Sequence, residues 1–342
     1  MAEVWGRVVA LQANFCSVVV EAAEGSGGAA VASGQDGEAG SIAQAGADPQ
    51  ASAAVEPEQR LLCTRRSRLD HAGLQVCVGD RVRLEGIDPI ARRAAVAAVA
   101  PRRNLLQRPP VANVSRVLVV ASLAEPALDP QQLSRFLLSA EACGAALELV
   151  LSKADLIAAT ELTAWLERLA DWGYRPRPVS SRSGAGLEDL RQALLASAGI
   201  TVVCGPSGAG KSSLLNALCP ELGLRVAPVS GRLRRGRHTT RHVELFALAP
   251  GVLLADTPGF NRPELPADPE ELAALFPELR LRLAAASCRF RNCRHLDDPG
   301  CAAGSDWPRH ALYRQCLEEL EQAVTTRRSG GAEAVSRRGR GG

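Results

Sequence analysis

The pattern of hydrophobic and polar positions divides this chain into three zones. Up to residue 100, short apolar runs show strand-like alternation and are bounded by polar and glycine-containing turns. From 101 to 265, apolar runs of strand length are separated by stretches of helical period. Beyond residue 265 the period is helical and cysteines are frequent. The pattern therefore predicts three domains, at 1–100, 101–265 and 266–342.

The first zone carries the pattern of a small β-domain with an insertion. Residues 22–57 are rich in alanine, glycine and glutamate and contain almost no large apolar residue, so they cannot offset their ordering entropy and are predicted to be disordered. The short strands around them predict a β-barrel of the oligonucleotide-binding kind, and a β-domain with only a packing role is the alternative. The predicted strands span 8–11, 15–20, 60–64, 80–84 and 94–99.

The second zone has the pattern of a parallel sheet. Buried strands are predicted at 117–120, 147–151, 201–204 and 252–255, with helical stretches between them. Continuous valine and leucine runs of this kind are typical of strands covered by helices on both faces. A helix predicted over 187–198 leads almost directly into the strand at 201–204.

Composition and charge narrow the classes of function. The 342 residues are 46% hydrophobic, which supports sizeable cores, and only 4% aromatic, which argues against a base-stacking platform. The net charge is only +3, but arginines cluster at 65–66, 102–103, 232–237 and 337–340, which favours a polyanion such as RNA as partner. No run approaches the roughly 18 apolar residues of a membrane span, and no secretory signal pattern is present. The ten cysteines are therefore expected to be reduced thiols, and the protein is expected in the cytoplasm.

A glycine-rich loop follows the strand at 201–204 and leads into a predicted helix. This strand–loop–helix context is what the phosphate-binding motif requires. Backbone N–H groups of the loop would cradle the β-phosphate, Lys211 would reach the β- and γ-phosphates, and Ser212 would ligate Mg²⁺. The predicted nucleotide-binding residues of this loop are Gly205, Pro206, Ser207, Gly208, Ala209, Gly210, Lys211, Ser212 and Ser213.

Two further segments have the character of nucleotide switches. Asp256 closes a buried strand, which would place it at the Mg²⁺ shell, and the N–H group of Gly259 could sense the γ-phosphate. Between the phosphate loop and Asp256 lies a candidate first switch, residues 236–240, whose threonine would contact Mg²⁺. Thr240 is assigned this role, although Thr239 meets the same requirement.

The position after Gly259 is chemically unusual for a GTPase. Ras-like enzymes place there a glutamine that orients the attacking water, whereas this chain has Phe260, which can neither donate nor accept a hydrogen bond. Another group must orient the water, and His238 as a neutral imidazole is one candidate, a partner being the other. His238 as a surface residue facing RNA or phosphate is the alternative interpretation.

The candidate guanine-reading residues precede the phosphate loop. The carboxylate of Asp155 can accept hydrogen bonds from guanine N1–H and the exocyclic amine, and the stem of Lys153 would lie along the purine. Ser152 occupies the place of the usual asparagine. Ser180 and Ser181 open a second stretch whose backbone could read guanine O6. Because these elements come last in an ordinary GTPase, their order predicts a circularly permuted GTPase that uses GTP and Mg²⁺.

A compact group of metal-ligand residues lies in the third zone. Cys288, Cys293, His295 and Cys301 supply three thiolates and an imidazole, the soft ligand set of a tetrahedral structural zinc site. Four protein ligands leave no open catalytic position, and the loop would fold mainly through its metal. The other cysteines are mostly flanked by apolar residues and are predicted to be small core residues.

With these motifs the chain resembles the ribosome small-subunit-dependent GTPases, the RsgA or YjeQ family. The similarity covers nearly all the chain except 22–57 and the carboxyl-terminal tail, and it includes residues 78–82, 101–105, 108–109 with 112–114, and 237–240. The resemblance implies a multidomain α/β protein with an oligonucleotide-binding barrel, a permuted GTPase domain and a helical zinc domain. It also implies action late in maturation of the small ribosomal subunit, with rRNA and GTP or GDP bound. A monomer is expected.

Three other functions remain open on sequence grounds. A P-loop ATPase or kinase is opposed by Asp155, which fits guanine and not adenine. A binding module that holds GTP only as a structural ligand is kept open by Phe260. A permuted GTPase for the large ribosomal subunit is opposed by the barrel and the zinc loop that flank the GTPase domain.

Overall fold

The computed structural model describes residues 3–12, 15–21, 60–65, 75–107, 110–223, 243–256, 263, 265 and 268–338. The predicted disordered insertion at 22–57 lies outside them. So do the candidate first switch, with His238, Thr239 and Thr240, and the pair Gly259 and Phe260. Within the described ranges, no helix combines the length and the apolarity that a bilayer crossing requires.

In the described part of the first zone, five strands close into a barrel. Their order is β1-β2-β3-β5-β4, and β4 pairs again with β1, so the sheet returns to its starting strand. Apolar side chains such as Val8, Val18 and Val82 fill the barrel with no exposed surface. The predicted oligonucleotide-binding type of barrel is thereby confirmed. The strands are β1 (Val4–Leu11), β2 (Phe15–Val20), β3 (Arg60–Arg65), β4 (Arg81–Asp88) and β5 (Arg93–Val99).

A two-stranded hairpin, β6 (Leu105–Gln107) and β7 (Pro110–Ala112), lies between the barrel and the second zone. The motif at 78–82 packs on it closely: a Cβ at Gly79 would lie 2.1 Å from the carbonyl oxygen of Ala112. Asp80 is fully buried and accepts hydrogen bonds from Arg102 on both carboxylate oxygens, at 2.7 and 2.9 Å. The segment between the barrel and the hairpin is therefore held in place by Arg102.

The second zone forms a sheet in the order β10-β9-β8-β11-β13-β12. Its strands run parallel except β12, which is antiparallel to β13. Along the chain, β8, β9 and β10 come before β11, the strand that leads to the phosphate loop. The predicted permutation requires this order. The strands are β8 (Val114–Ser122), β9 (Ala146–Ser152), β10 (Arg177–Val179), β11 (Gly199–Cys204), β12 (Glu244–Ala249) and β13 (Val252–Asp256).

Helices cover both faces of this sheet. Val117 and Val119 of β8 belong to the core beneath the first two helices, and Leu118 and Val120 belong to the core beneath the next two. This period of two explains why the strands appear in the sequence as continuous apolar runs. The helices are α1 (Pro130–Glu141), α2 (Ala159–Asp171), α3 (Leu187–Leu195) and α4 (Lys211–Leu218).

Several elements differ from the sequence-based prediction. Strands β10 and β12 were not predicted because they are short or only partly buried. The helix predicted over 187–198 ends at Leu195. Arg116 of β8 accounts for this end, since its guanidinium donates to the carbonyl of Leu194 at 3.4 Å and to the hydroxyl of Ser197 at 3.0 Å.

The third zone is a helical domain that packs on the second zone. Its core joins Phe276 to Trp307 and Tyr313 by edge-to-face ring contacts of 5.5 and 5.4 Å, and Leu138 of α1 belongs to the same cluster. The three predicted domain boundaries remain predictions. The elements of this zone are a 3₁₀ helix at Pro269–Leu275 and the helices α5 (Pro277–Ala285) and α6 (His310–Arg338).

Arg309 is the centre of the contact between these two domains. Its guanidinium is 2% exposed and donates to both carboxylate oxygens of Glu278 at 2.6 Å. It also lies 4.9 Å from the ring centroid of Trp172 and 5.4 Å from that of Tyr174, both in the connection between α2 and β10. The third domain is thus fixed next to the strand that precedes the predicted Ser180 loop.

We expect Arg309→Met to lower the free energy of unfolding by about 3–5 kcal/mol, because it leaves the buried Glu278 carboxylate unpaired. Urea unfolding followed by tryptophan fluorescence would measure the loss. The double variant Arg309→Met/Glu278→Leu should recover most of it, since an apolar pair of similar volume replaces a buried ion pair at little cost. An exposed ion pair contributes at most about 1 kcal/mol. A loss smaller than this in the single variant would contradict the role of Arg309 as the partner of a buried carboxylate.

Candidate functional site

The predicted nucleotide-binding segments meet at one edge of the sheet. Parallel strands present their carboxyl ends at the same edge, which is where open α/β sheets bind ligands. Ser152 at the end of β9 is paired with Ser122 at the end of β8, and Val179 at the end of β10 is also paired with Ser152. Asp256 at the end of β13 is paired with Val203 of β11. The fold thereby places the base-reading, phosphate-binding and magnesium-binding candidates on neighbouring strands.

The loop after β11 has the backbone of a phosphate-binding loop. Gly205 has φ +141° and lies so close to β8 that a Cβ there would be 2.0 Å from the carbonyl oxygen of Val120. Gly208 and Gly210 have φ values of +80° and +81°, a region that favours glycine. The loop ends at the amino terminus of α4, where backbone N–H groups favour an anion.

Lys211 and Ser212 stand in the first turn of α4. The Nζ of Lys211 donates to the carbonyl oxygens of Gly205 and Pro206, each at 2.8 Å, so the ammonium group lies against the loop. Ser212 and Ser213 are both half-buried. Serine hydroxyls and aspartate carboxylates are hard oxygen donors of the kind that Mg²⁺ takes. Ser212 and Asp256, the predicted Mg²⁺ ligands, belong to adjacent strand–loop units.

Ser152, the departure from the usual asparagine, is bonded to the phosphate loop. Its side chain is 3% exposed, and its Oγ donates to the carbonyl oxygen of Ala209 at 2.6 Å. The base-reading segment and the phosphate loop are therefore joined directly, although the serine has no amide. This partner could not be predicted from local pattern, because 57 positions separate the two residues.

Lys153 and Asp155, the predicted base-reading residues, follow directly after β9. Lys153 adopts the left-handed conformation with φ +57°, and its Nζ donates to the carbonyl oxygen of Glu125. Its Cε lies 4.0 Å from the position that a Cβ on Gly210 would take. Asp155 lies in a 3₁₀ helix, Ala154–Leu156, with its side chain exposed at the site.

The loop at Ser180 is held by its own hydrogen bonds. Ser180 is 1% exposed, and its Oγ accepts from the backbone N–H of Ser183 at 3.1 Å. Its own N–H donates to the carbonyl oxygen of Ala185 at 2.9 Å. A Cβ at Gly186 would lie 2.3 Å from the carbonyl oxygen of Pro178. The side chain of Ser180 therefore stabilises the turn, and Ser181, the next residue, is half-buried.

The four predicted metal ligands converge in the third domain. Their ligand atoms all lie within 4.8 Å of one another. The Nδ1 of His295 is 3.6 Å from the Sγ of Cys288 and 3.6 Å from the Sγ of Cys301. Tetrahedral Zn²⁺, with bonds of about 2.3 Å to sulfur and about 2.1 Å to nitrogen, would separate such atoms by about 3.6 Å. Cys288, Cys293, His295 and Cys301 therefore fit a structural zinc ion.

Groups around the ligands support the same assignment. The backbone N–H of Ala302 donates to the Sγ of Cys288 at 3.3 Å, a contact that orients a thiolate. Desolvation lowers the pKa of His295, which keeps the imidazole neutral as a metal ligand must be. The hydroxyl of Tyr313 donates to the carbonyl oxygen of Arg294 at 2.9 Å and so fastens the loop to α6.

The remaining cysteines take no part in either site. All ten cysteines are free thiols, and those outside the metal loop are buried, as the sequence predicted. Burial raises the pKa of Cys204 to about 12, so its thiol is unreactive at neutral pH.

The fold and its sites define a circularly permuted P-loop GTPase flanked by a barrel and a metal-binding domain. A family model described as RsgA GTPase matches residues 99–266. The chain is 52% identical over 326 residues to a Small ribosomal subunit biogenesis GTPase RsgA from Synechococcus sp. (strain CC9605), covering 95% of this chain and 96% of that protein. It is 49% identical over 333 residues to a protein of the same name from Parasynechococcus marenigrum (strain WH8102), covering 96% and 100%. This chain belongs to the RsgA GTPase family.

Two solved structures share the whole fold. The crystal structure of YjeQ from Thermotoga maritima matches with a TM-score of 0.70 and 27% identity, covering 93% of this chain and 99% of that one. YloQ, described as a circularly permuted GTPase, matches with a TM-score of 0.66 and 26% identity, covering 94% and 96%. The predicted permutation and family resemblance are confirmed.

Proposed function

We propose that this protein hydrolyses GTP during late maturation of the small ribosomal subunit. It would bind the rRNA of that subunit, and the subunit would activate its hydrolysis of GTP. The observation that carries the proposal is the hydrogen bond from the hydroxyl of Ser152 to the carbonyl oxygen of Ala209. It joins the candidate guanine-binding segment to the phosphate loop. The 52% identity to a Small ribosomal subunit biogenesis GTPase supports the choice of partner.

The phosphate end of the site supplies charge and position. Lys211 would exchange the carbonyl oxygens of its loop for the β- and γ-phosphate oxygens of GTP. Ser212, Asp256 and Thr240 would hold Mg²⁺, which, when bound, neutralises charge on those phosphates. The backbone N–H of Gly259 would contact the γ-phosphate.

The base end of the site supplies selectivity. Asp155 would accept two hydrogen bonds from guanine, with Lys153 along the ring and the backbone of Ser181 at O6. Adenine offers no matching pair of donors, so the exposed carboxylate supports GTP over ATP.

The water-orienting group is proposed to be His238 or a group of the small subunit, because Phe260 has no hydrogen-bonding atom. Slow intrinsic hydrolysis is expected because Phe260 cannot orient the water. The protein is also proposed to act as a monomer in the cytoplasm, where its cysteines, none of which forms a disulfide, stay reduced.

We expect GTP hydrolysis to be slow alone and accelerated by small ribosomal subunits, by a factor on the order of 10³–10⁵ if the subunit supplies a transition-state contact. The measurement is multiple-turnover phosphate release with purified small subunits, large subunits and neither. Lys211→Ala should abolish hydrolysis under all three conditions while the barrel still binds RNA. A rate unchanged by small subunits would exclude activation by the ribosome, and acceleration by large subunits alone would favour a large-subunit factor.

A further inference from the structure

Strand β1 belongs to both the barrel and the GTPase sheet. Its first half, from Val4 to Arg7, pairs with β4 and closes the barrel. Its pairing with β2 then shifts register between Val8 and Ala10, which is a β-bulge. Bulges bend a strand and re-aim its side chains. After the bulge, Ala10 pairs with Glu244 of β12, so the barrel continues into the GTPase sheet.

The side chains on either side of the bulge serve different cores. Val8 has no exposed surface and belongs to the core of the barrel. Val9 is 3% exposed and belongs to the core of the GTPase domain, together with Val243 and Leu245. The two domains therefore share one strand, and Val9 attaches that strand to the core of the GTPase domain.

One row of paired residues connects the barrel with the catalytic edge. Ala10 pairs with Glu244, Glu244 with Asp256, and Asp256 with Val203 of the strand that leads to the phosphate loop. The guanidinium of Arg60 on β3 adds an ion pair to Glu244 at 2.8 Å. The proposed Mg²⁺ carboxylate is thus two strands away from the barrel along a single row.

We propose that the nucleotide state of the GTPase domain and the affinity of the barrel for small-subunit RNA are coupled through this β1–β12 joint. The proposal rests on the proposed function and names the route of its regulation. Because Asp256 is paired with Glu244 and Glu244 with Ala10, a shift of Asp256 would displace the strand that belongs to the barrel. By thermodynamic reciprocity, RNA bound to the barrel then changes the affinity for GTP relative to GDP by the same factor.

Two neighbouring valines give a matched test. Val9→Ala loosens the attachment of β1 to the GTPase core, and Val8→Ala loosens the barrel itself by the same chemical change. The measured quantity is the affinity for purified small subunits with a non-hydrolysable GTP analogue, divided by the affinity with GDP. We expect Val9→Ala to reduce this ratio at least about threefold, within the usual range of such couplings, and Val8→Ala to leave the ratio near that of the unmodified protein.

An ion-pair exchange provides a second test that leaves the cores intact. Glu244→Arg should reduce the same ratio about two- to fivefold, as expected for a partly exposed pair, and Arg60→Glu/Glu244→Arg should restore it. The control is Arg135→Glu, because Arg135 forms an ion pair of 2.5 Å with Glu319 between α1 and α6, in the contact with the third domain. This control should leave the ratio unchanged.

The outcomes separate the inference from the proposed function. A ratio of one in the unmodified protein would overturn the inference, whereas the proposed activation fails only if small subunits leave phosphate release unchanged. A ratio above one that neither Val9→Ala nor Glu244→Arg reduces would overturn the inference alone. An equal reduction by Val8→Ala or Arg135→Glu would also overturn it, because the effect would then reflect general loosening.

Discussion

Asp155→Asn is expected to change the preferred nucleotide from GTP to XTP. The amide places a donor where the carboxylate offered an acceptor, which suits the carbonyl group at position 2 of xanthine and opposes the amine of guanine. A site built around such a pair discriminates by a factor on the order of 10⁴, so the ratio of GTP to XTP affinity should change by a comparable factor. Competition between the two nucleotides for a fluorescent GDP analogue would measure it.

The matched control for this change is Asp171→Asn, at the exposed carboxyl end of α2 and away from the sheet edge that carries the site. It should keep the GTP preference of the unmodified protein. If Asp155→Asn also continued to prefer GTP, Asp155 would not be the residue that reads the base.

Loss of zinc is expected to have the second large effect. Cys293→Ala removes one of four ligands, and structural zinc sites contribute about 10–16 kcal/mol of apparent binding free energy at neutral pH. The loop from Cys288 to Cys301 should then lose its fold, and Tyr313 should lose its contact with Arg294. Elemental analysis of protein purified without chelators, together with hydrogen exchange in the third domain, would measure both losses.

Cys316→Ala is the appropriate control, because Cys316 is a fully buried cysteine of the same domain that lies outside the metal cluster. It should retain one zinc per chain. Absence of zinc from the unmodified protein would contradict the metal assignment, even if the domain remained folded.

The sequence predicted the features that depend on local pattern. The strand before Gly205, the glycines of the loop and the helix after Lys211 lie within a short segment, so their joint context could be recognised. The four metal ligands are also close in sequence. The order of these segments indicated the permutation, because the order of motifs along the chain is known from the sequence alone and does not require any contact to be known.

Features that depend on distant partners could not be predicted. Ser152 looked like the loss of an asparagine, and only the fold shows that its hydroxyl reaches Ala209. Arg309 stands between a proline and a histidine in a polar segment, where an exposed position is the ordinary expectation, yet it is 2% exposed and paired with Glu278. The pairing of β1 with β12 joins residues 234 positions apart (244 − 10 = 234), beyond the reach of any periodicity.

The bulged strand β1 also protects the GTPase sheet. A sheet that ends in an exposed strand presents unpaired backbone groups that can recruit another chain and start aggregation. Here β12 would be the outermost strand of the GTPase sheet, and β1 covers its edge at Glu244. Among the described residues, the barrel strands close on one another through the pairing of β4 with β1. The barrel strand β1 therefore occupies this point of the β12 edge and blocks pairing of another chain there, whether or not RNA is bound.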